Sequence, residues 1–369
     1  MSRPALAPLA LLLLAAGCAA CAGGTFTVRK GEALAPGPAP AAVPGALRVL
    51  HVADFGEVNA QQAAVAAAAA AAHRRAPFAL AVFPGDDVYP CGPDAARPGV
   101  ERCAFGPDRN TVATPPEGAD PSFDLQHEAP LAGLATPGPA PRVYLTLGNH
   151  DVATWPGCGV LGVGGEEVAR RRACASVAHQ GPRWSMPARH YVVDEGPARF
   201  IFVDSNVVHA DYAGFTLDDE VRFVAGAATG CASRACFLVG HHPPATAGSH
   251  LRDFDKPGWG ERMRRLVAAA GPGLRAYLAG HDHDLQHLRT AAGLDVLISG
   301  NGCCARPGER FERTSDGGPL LFATVRPGFG TLTVQPGGWS YRFDDTAGQP
   351  LYCCAAAGAG RCEPVACGP

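Results

Sequence analysis

Short apolar runs recur along the chain, and several end in a cluster of polar residues. The run at 47–53 leads into Asp54-Phe55-Gly56, and the run at 78–83 leads into Pro84-Gly85-Asp86-Asp87-Val88-Tyr89. Between them, residues 59–75 are alanine-rich and have high helix propensity. The order strand, helix, strand predicts a βαβ unit with polar residues at the strand ends.

The same arrangement recurs four times between residues 143 and 283. Strand-like runs at 143–147, 199–203, 237–239 and 276–279 each precede a polar residue or cluster. Those residues are Gly148-Asn149-His150-Asp151, Asp204, Gly240-His241-His242-Pro243 and Gly280-His281-Asp282-His283. Four more strand-like runs follow, at 294–300, 320–325, 330–334 and 339–343, and a short helix is predicted near 123–134. The pattern favours an α/β fold.

Seven potential metal ligands stand at these strand ends. Open α/β sheets bind their ligands at the carboxyl ends of strands, so these side chains are expected to converge. They are Asp54, Asp86, Tyr89, Asn149, His241, His281 and His283. Oxygen donors mixed with imidazoles suit first-row transition metals. Seven donors exceed the needs of one ion, so we expect two ions and a bridging carboxylate.

In order, the motifs are D-x-G, G-D-x-x-Y, G-N-H-D, G-H-x-P and G-H-x-H. This series resembles the binuclear metallophosphoesterases, and specifically the purple acid phosphatases of the small, tartrate-resistant type. Most metallophosphoesterases begin with D-x-H, whereas this chain has Gly56 in place of that histidine and gains Tyr89. The resemblance covers residues 47–299 and implies a four-layer α/β/β/α sandwich.

The resemblance also implies how two metals would be held. The first, Fe(III), is assigned to Asp54, Asp86, Tyr89 and His283. The second, Fe(II), Zn(II) or Mn(II), is assigned to the bridging Asp86 and to Asn149, His241 and His281. The family's Gly-His-x-Pro pattern favours His241 over its neighbour His242 as the ligand.

The activity implied is that of an exported acid phosphatase, which hydrolyses phosphate monoesters by attack of a metal-bound hydroxide. His150 would stabilise the phosphate oxygens and help protonate the leaving group. His250, nine residues after His241, falls where the tartrate-resistant type carries a second substrate histidine. Two alternatives stay open: a phosphodiesterase or nucleotidase on the same fold, and a non-catalytic surface binding protein with a vestigial metal site.

The amino-terminal segment predicts export. Residues 1–18 form a signal peptide whose end, Leu14-Ala15-Ala16-Gly17-Cys18, resembles a lipoprotein cleavage site. An ordinary secretory signal is the alternative. The apolar run is too short to span a bilayer, so the only membrane contact expected is a lipid anchor at Cys18. We expect a periplasmic or cell-surface lipoprotein, or a secreted protein. An Ala/Pro/Gly-rich tether at 19–46, a metallophosphoesterase domain at 47–345 and a cysteine-rich tail at 346–369 would follow.

The chain has fourteen cysteines, of which twelve lie beyond the leader. An even number favours disulfides in an oxidising compartment. Proximity in sequence suggests the pairs Cys231–Cys236, Cys158–Cys174 and Cys91–Cys103. The other six cysteines allow fifteen connectivities, and we expect the tail to be cross-linked near Cys303.

Composition restricts the partners. The net charge of the 369 residues is -3 and charged residues make up only 18% of the chain, which disfavours nucleic acid as a partner. A small phosphate ester responds instead to the local charge of two metal ions, which overall composition does not reveal. We expect a monomer that binds a small phosphate ester.

Overall fold

A computed structural model describes residues 45–135, 140–154, 158 and 165–368 of the protein. The predicted signal peptide, and the predicted tether up to residue 44, lie outside the described residues. The described chain is a mixed α/β structure with two seven-stranded sheets and one small two-stranded sheet.

Strands and helices alternate along much of the chain. The strands are β1 (Leu47–His51), β2 (Leu80–Phe83), β3 (Ala104–Phe105), β4 (Val112–Thr114), β5 (Arg142–Leu145), β6 (Tyr191–Glu195), β7 (Ala198–Phe202), β8 (Ala235–Val239), β9 (Leu274–Ala279), β10 (Leu285–Arg289), β11 (Asp295–Ser299), β12 (Leu320–Thr324), β13 (Gly328–Gln335), β14 (Gly338–Asp345), β15 (Pro350–Ala357) and β16 (Glu363–Pro364). The α-helices are α1 (Ala60–Arg75), α2 (Pro121–Phe123), α3 (Asn149–Val152), α4 (Gly165–Ala178), α5 (Leu217–Ala228) and α6 (Trp259–Ala268). Short 3₁₀ turns lie at Val100–Arg102, Pro130–Ala135, Ser205–Val208, Thr229–Ala232, Ser249–Asp255 and Gly271–Gly273.

The two large sheets form the centre of the molecule. The first has the order β16-β15-β14-β13-β1-β2-β5, and the second has the order β12-β10-β11-β9-β8-β7-β6. Within them β1, β2 and β5 run parallel to one another, as do β7, β8, β9 and β11. The sheets pack face to face through apolar side chains such as Phe237 and Trp339, whose rings lie 5.6 Å apart. Helix α1 packs on the first sheet and α5 on the second, which gives the predicted four layers.

Helix α1 shows how local sequence sets an element. The Asn59 side chain accepts a hydrogen bond of 2.9 Å from the backbone N–H of Gln62 and so caps the first turn. His73, Arg74 and Arg75 occupy the last turn, where positive charge is favourable to the helix dipole. The small alanine side chains let the helix lie close to the sheet, and half of them are buried.

Two segments differ from the sequence-based expectation. The helix predicted near 123–134 is instead α2, one π-helical turn at Asp124–Glu128 and a 3₁₀ turn that starts at Pro130. Proline lacks a backbone N–H and cannot continue a regular α-helix. The predicted cysteine-rich tail contains β15 and β16, which extend the first sheet beyond β14.

The described residues form six disulfides, which correct most of the predicted pairing. Only Cys231–Cys236 is confirmed. The predicted pairs Cys91–Cys103 and Cys158–Cys174 are wrong, as is the cross-link of the tail to Cys303. The structure instead has Cys91–Cys158, Cys103–Cys174, Cys303–Cys304, Cys353–Cys367 and Cys354–Cys362.

Tertiary packing explains these differences. Helix α4, which carries Cys174, packs against the 3₁₀ turn Val100–Arg102, next to Cys103. Strand β16 pairs with β15, so the tail cysteines meet one another and not Cys303. Within the described residues, no helix combines the length and apolar character that crossing a membrane requires.

Candidate metal centre

The seven predicted ligands all lie just beyond the carboxyl ends of strands. Asp54 follows β1, Asp86 and Tyr89 follow β2, and Asn149 opens α3 after β5. His241 follows β8 in the second sheet, and His281 and His283 follow β9. The structure brings all seven together between the two sheets, where the exposed fractions of these residues are all 9% or less.

Four of the donors form a first set, which we call M1. The Tyr89 hydroxyl lies 3.2 Å from Asp54 Oδ1, 3.1 Å from Asp86 Oδ2 and 3.4 Å from His283 Nε2. His283 Nε2 is 3.5 Å from Asp54 Oδ1. M1 therefore unites two carboxylates, a phenol and an imidazole around one point.

The second set, M2, shares one atom with M1. His241 Nε2 lies 3.3 Å from Asp86 Oδ2 and 2.9 Å from Asn149 Oδ1. His281 Nδ1 lies 3.0 Å from Asn149 Oδ1 and 3.2 Å from His241 Nε2. Asp86 Oδ2 belongs to both sets, so one carboxylate oxygen can bridge two ions. M1 and M2 consist of the same residues as the two predicted ligand sets.

These separations fit donors that share a metal ion. Donors bound at about 2.1 Å, with angles of about 90–109° between them, lie roughly 3.0–3.4 Å apart. Hydrogen bonds alone do not account for the contacts. His281 Nε2 is 3.0 Å from the Asp253 carboxylate, so this nitrogen carries the proton and Nδ1 presents a lone pair to Asn149 Oδ1. A cation between two such acceptors relieves their repulsion, so the residues present fit a metal.

The other two histidines are oriented by backbone carbonyls. His241 Nδ1 is 2.9 Å from Pro84 O, and His283 Nδ1 is 2.8 Å from Cys304 O. In each ring this bond fixes the proton on the outer nitrogen and turns Nε2 towards the centre.

The two carboxylates are oriented by backbone N–H groups. His281 N donates to Asp54 Oδ2 and His150 N donates to Asp86 Oδ1, both at 2.8 Å. The free oxygens, Asp54 Oδ1 and Asp86 Oδ2, face the donor sets. Asp54, Asp86 and His281 have positive φ angles of 51°, 59° and 74°. Such backbone strain is costly for residues other than glycine and is found most often at functional sites.

Burial and charge perturb the titration of the ligands. Burial raises the pKa of Asp54, and burial together with the carboxylates of Asp86 and Asp54 raises that of Tyr89. Burial lowers the pKa of His283 to about 3. Burial also opposes protonation of His241, but Asp86 and Asp54 outweigh it and raise its pKa to about 10. Bound cations reverse this balance, because they favour carboxylate, phenolate and neutral imidazole.

The structure also explains the glycine at position 56. A Cβ atom there would lie 2.1 Å from the backbone carbonyl carbon of Asp87, so no side chain fits. The histidine of the D-x-H pattern is sterically excluded, and Tyr89 fills the place of the fourth M1 donor.

The two predicted substrate histidines lie on opposite sides of the centre. His150 packs on Tyr89 with ring centroids 4.3 Å apart, and its Nε2 is 4.0 Å from Asp86 Oδ2. His250 lies beside the M2 ligand His281, with ring centroids 3.9 Å apart. Both therefore border the space above the two donor sets.

Three further residues support the site and were not predicted from the sequence. Asp253 Oδ2 contacts both His281 Nε2 and His250 Nδ1, at 3.0 and 3.1 Å. Asp151 accepts backbone N–H bonds from residues 86, 87, 88 and 148 at 2.8–2.9 Å. Arg306 is exposed, and its guanidinium lies 3.2 Å from His250 Nε2. Asp151 could have been found from the sequence, because it is the last residue of the motif Gly-Asn-His-Asp. Asp253 and Arg306 do not follow a strand, so no pattern in the sequence pointed to them.

Solved structures resemble this architecture over most of the chain. GAP50, described as the anchor in the inner membrane complex of Plasmodium, aligns with a TM-score of 0.60 and 15% identity, covering 85% of this chain and 89% of its own. A purple acid phosphatase from yellow lupin (Lupinus luteus) seeds aligns with a TM-score of 0.57 and 14% identity. The alignment covers 85% of this chain and 54% of the lupin chain. The chain has the metallophosphoesterase fold. The predicted fold is thereby confirmed.

Curated sequence relatives match one segment of the chain. Tartrate-resistant acid phosphatase type 5 from Rattus norvegicus is 40% identical over 87 residues, which is 23% of this chain and 24% of the relative. The Homo sapiens protein of the same name is 39% identical over 85 residues, 23% of this chain and 25% of the relative. The matched segment thus spans about a quarter of these curated relatives. No family model matches the chain.

Proposed function

We propose that the protein is a metal-dependent phosphoester hydrolase, an acid phosphatase that acts on phosphate monoesters. The observation that carries the proposal is the pair of four-donor sets that share Asp86 Oδ2, with Tyr89 as the M1 phenol. Two ions bound there would supply Lewis-acid activation of the phosphoryl group and of water. The partial identity to tartrate-resistant acid phosphatases supports the same activity.

The proposed metals are Fe(III) at M1 and Fe(II), Zn(II) or Mn(II) at M2. The pKa of the Tyr89 phenol is raised by burial and by the carboxylates of Asp86 and Asp54. A strongly acidic trivalent ion would favour its phenolate form. M2 has one carboxylate oxygen, one amide oxygen and two imidazole nitrogens, which suit a divalent first-row ion.

His150 and His250 position the substrate in this proposal. The His150 Nδ1 atom lies 2.6 Å from Pro90 O, which fixes the ring against Tyr89. In its protonated form His150 offers Nε2–H to a phosphate oxygen or to the leaving oxygen. His250 is held by Asp253 and lies beside the exposed guanidinium of Arg306. His250 Nε2 accepts from the Arg306 guanidinium, and this cationic group favours a dianionic phosphate monoester.

A phosphodiesterase or nucleotidase on the same fold differs in the charge of its substrate. A diester carries one negative charge fewer than a monoester dianion and adds a second bulky group. Turnover of p-nitrophenyl phosphate compared with bis(p-nitrophenyl) phosphate separates these activities. We expect kcat/KM for the monoester to exceed that for the diester by at least tenfold.

The likeness to GAP50 favours a second candidate function, because that protein is described as an anchor. In this alternative the fold serves attachment and the metal site is vestigial. The complete donor set favours the hydrolase. Purified protein that retains fewer than two metal ions per chain and does not turn over p-nitrophenyl phosphate would favour the anchor.

Visible absorption tests the proposed metal centre directly. Iron-loaded protein should be violet, from tyrosinate-to-Fe(III) charge transfer, and Tyr89→Phe should remove the colour. Tyr144→Phe is the matched control, because Tyr144 is equally buried at 9% exposure but belongs to neither donor set. Colourless iron-loaded wild type, or colour that persists in Tyr89→Phe, would reject the assignment of Tyr89.

We also propose export, as a lipoprotein anchored through Cys18 or as a secreted protein. The six disulfides support an oxidising compartment. Expression in a bacterial host with labelled palmitate, followed by fractionation, tests the anchor. Cys18→Ala should abolish labelling and release the protein, and equal labelling of both forms would exclude lipidation at Cys18.

A further inference from the structure

A second cluster of metal-ligand side chains lies below the binuclear site. Asp282 and Asp284 flank His283 in the loop between β9 and β10, and both are 0% exposed. Glu309 reaches them from the loop after β11. One carboxylate oxygen from each of the three residues lies within 4.8 Å of the other two. These residues belong to neither M1 nor M2.

The cluster has no internal counter-charge. Among the described residues, the hydrogen-bond partners of Asp282 and Asp284 are neutral hydroxyl, amide and backbone N–H groups. The neighbouring guanidinium of Arg306 is directed to the Ser249 hydroxyl and to His250 Nε2. Carboxylates taken out of water without a cation are costly, and a bound cation would supply the missing positive charge.

One buried oxygen is aimed into the cluster without a partner. Asp284 Oδ1 accepts from Gln286 Nε2 at 2.8 Å, but Asp284 Oδ2 has no hydrogen-bond partner among the described residues. A Cβ atom on Gly248 would lie 2.6 Å from Asp284 Oδ2 and 2.6 Å from Asp282 Oδ1. These two oxygens therefore face the same side, and both oxygens of Glu309 are likewise buried and unpartnered in the described part of the chain.

Hydrogen bonds preorganise the Asp282 carboxylate. Its Oδ2 accepts from the Thr246 hydroxyl, and its Oδ1 accepts from His250 N at 2.9 Å. The Ser249 hydroxyl is 3.4 Å from Asp282 Oδ1 and provides another oxygen at the rim. The cluster thus offers only hard oxygen donors, from side chains whose directions are fixed by the loops.

We propose that Asp282, Asp284 and Glu309 bind a calcium ion that is separate from the binuclear centre. Calcium takes oxygen ligands at about 2.3–2.6 Å, so oxygens on opposite sides of the ion are up to roughly 4.8 Å apart. Magnesium binds at about 2.0–2.1 Å and requires a tighter set. The ion cross-links the loop that bears His281 and His283 to the loop after β11. The calcium site therefore supports the position of two ligands of the binuclear centre.

Metal analysis of the full-length protein, loaded with its binuclear metals, tests this site. Equilibrium dialysis against ⁴⁵Ca²⁺ should give one calcium per chain, while iron and the second metal are counted in parallel by mass spectrometry. Saturating CaCl₂, at about 100 times Kd, should raise Tm by roughly 5 °C over NaCl of equal ionic strength. MgCl₂ should raise it by less than half as much.

Three variants make the test specific. Asp284→Asn and Glu309→Gln should each weaken calcium binding at least tenfold and remove the calcium-dependent rise in Tm. Glu312→Gln, an exposed residue of the same loop, should bind calcium like the wild type. The proposal is overturned if the wild type binds no calcium, if both cluster variants bind it as tightly, or if magnesium stabilises equally. These outcomes do not depend on phosphatase activity, because the readouts are metal content and thermal stability.

Discussion

Replacing Asp253 with asparagine tests whether this carboxylate orients the M2 ligand His281. Asp253 is 8% exposed. Its Oδ2 accepts from His281 Nε2 at 3.0 Å and from His250 Nδ1 at 3.1 Å, and its Oδ1 lies 2.5 Å from Lys256 Nζ. Asparagine keeps the shape, but it removes the charge and turns one acceptor into a donor.

The expected effect is a selective loss of affinity at M2. A hydrogen bond to a charged group contributes about 1.5–3 kcal/mol, against about 0.5–1.5 kcal/mol for a neutral pair. Weakening the His281 bond to a neutral one therefore costs about 1–1.5 kcal/mol. Loss of such a supporting partner lowers metal affinity about 10–100-fold in known sites, or about 1.4–2.7 kcal/mol. M1 has no contact with Asp253 among its four donors and should keep its iron.

The assay is a competition titration of the second metal, read by metal content, with the violet absorption as the measure of M1. Asp255→Asn is the matched control, because Asp255 is exposed on the same 3₁₀ turn, Ser249–Asp255. We expect Asp253→Asn to lose the second ion while its colour and fold persist. A second-metal Kd within twofold of the wild type would refute the orienting role of Asp253.

Three other substitutions test the strain at Gly56, the M2 set and a buried histidine. Gly56→Ala should lower Tm by more than 5 °C and reduce iron binding, because the added Cβ would lie 2.1 Å from the Asp87 carbonyl carbon. A Tm equal to that of the wild type, measured by scanning fluorimetry, would contradict this. Asn149→Ala removes a donor of M2 only. It should therefore deplete the second metal and most of the activity but leave the violet colour unchanged. Full content of both metals in this variant would reject Asn149 as a ligand. Burial lowers the pKa of His51 to about 3 from an unfolded value of 6.5. The unfolded chain therefore binds one more proton between these pH values, and stability falls on acidification. His51→Asn should reduce that slope by about 1.4 kcal/mol per pH unit in denaturant titrations, and an unchanged slope would show that His51 does not contribute.

The seven candidate ligands could be recognised in the sequence because each one follows a local pattern. An apolar run followed at once by Asp54, or by Gly148 and Asn149, indicates a strand and the residue at its carboxyl end. Parallel strands present those ends along one edge of a sheet, so alignment in space follows from a pattern in sequence. The exchange of a histidine for Gly56 and Tyr89 was also visible, although its steric cause at Asp87 was not.

The contacts that orient these ligands leave no comparable pattern in the sequence. Asp253 lies in a 3₁₀ turn and reaches His281 across 28 residues of sequence. The backbone carbonyl of Cys304 orients His283, and a carbonyl leaves no signature in the side-chain pattern. The disulfides show the same limit, because proximity in sequence identified Cys231–Cys236 but failed for Cys91 and Cys103, whose partners lie 67 and 71 residues away.

By itself the sequence determined the apolar strands, the polar residues that end them and the chemical type of each candidate metal ligand. These properties depend on side-chain identity and on short-range periodicity. Tertiary structure alone decided which oxygen of Asp86 is shared, which nitrogen of each histidine faces the centre, and that Asp282, Asp284 and Glu309 converge below it. Those outcomes depend on how two sheets and their loops pack, because hydrogen bonds and buried charges act between residues far apart in the chain.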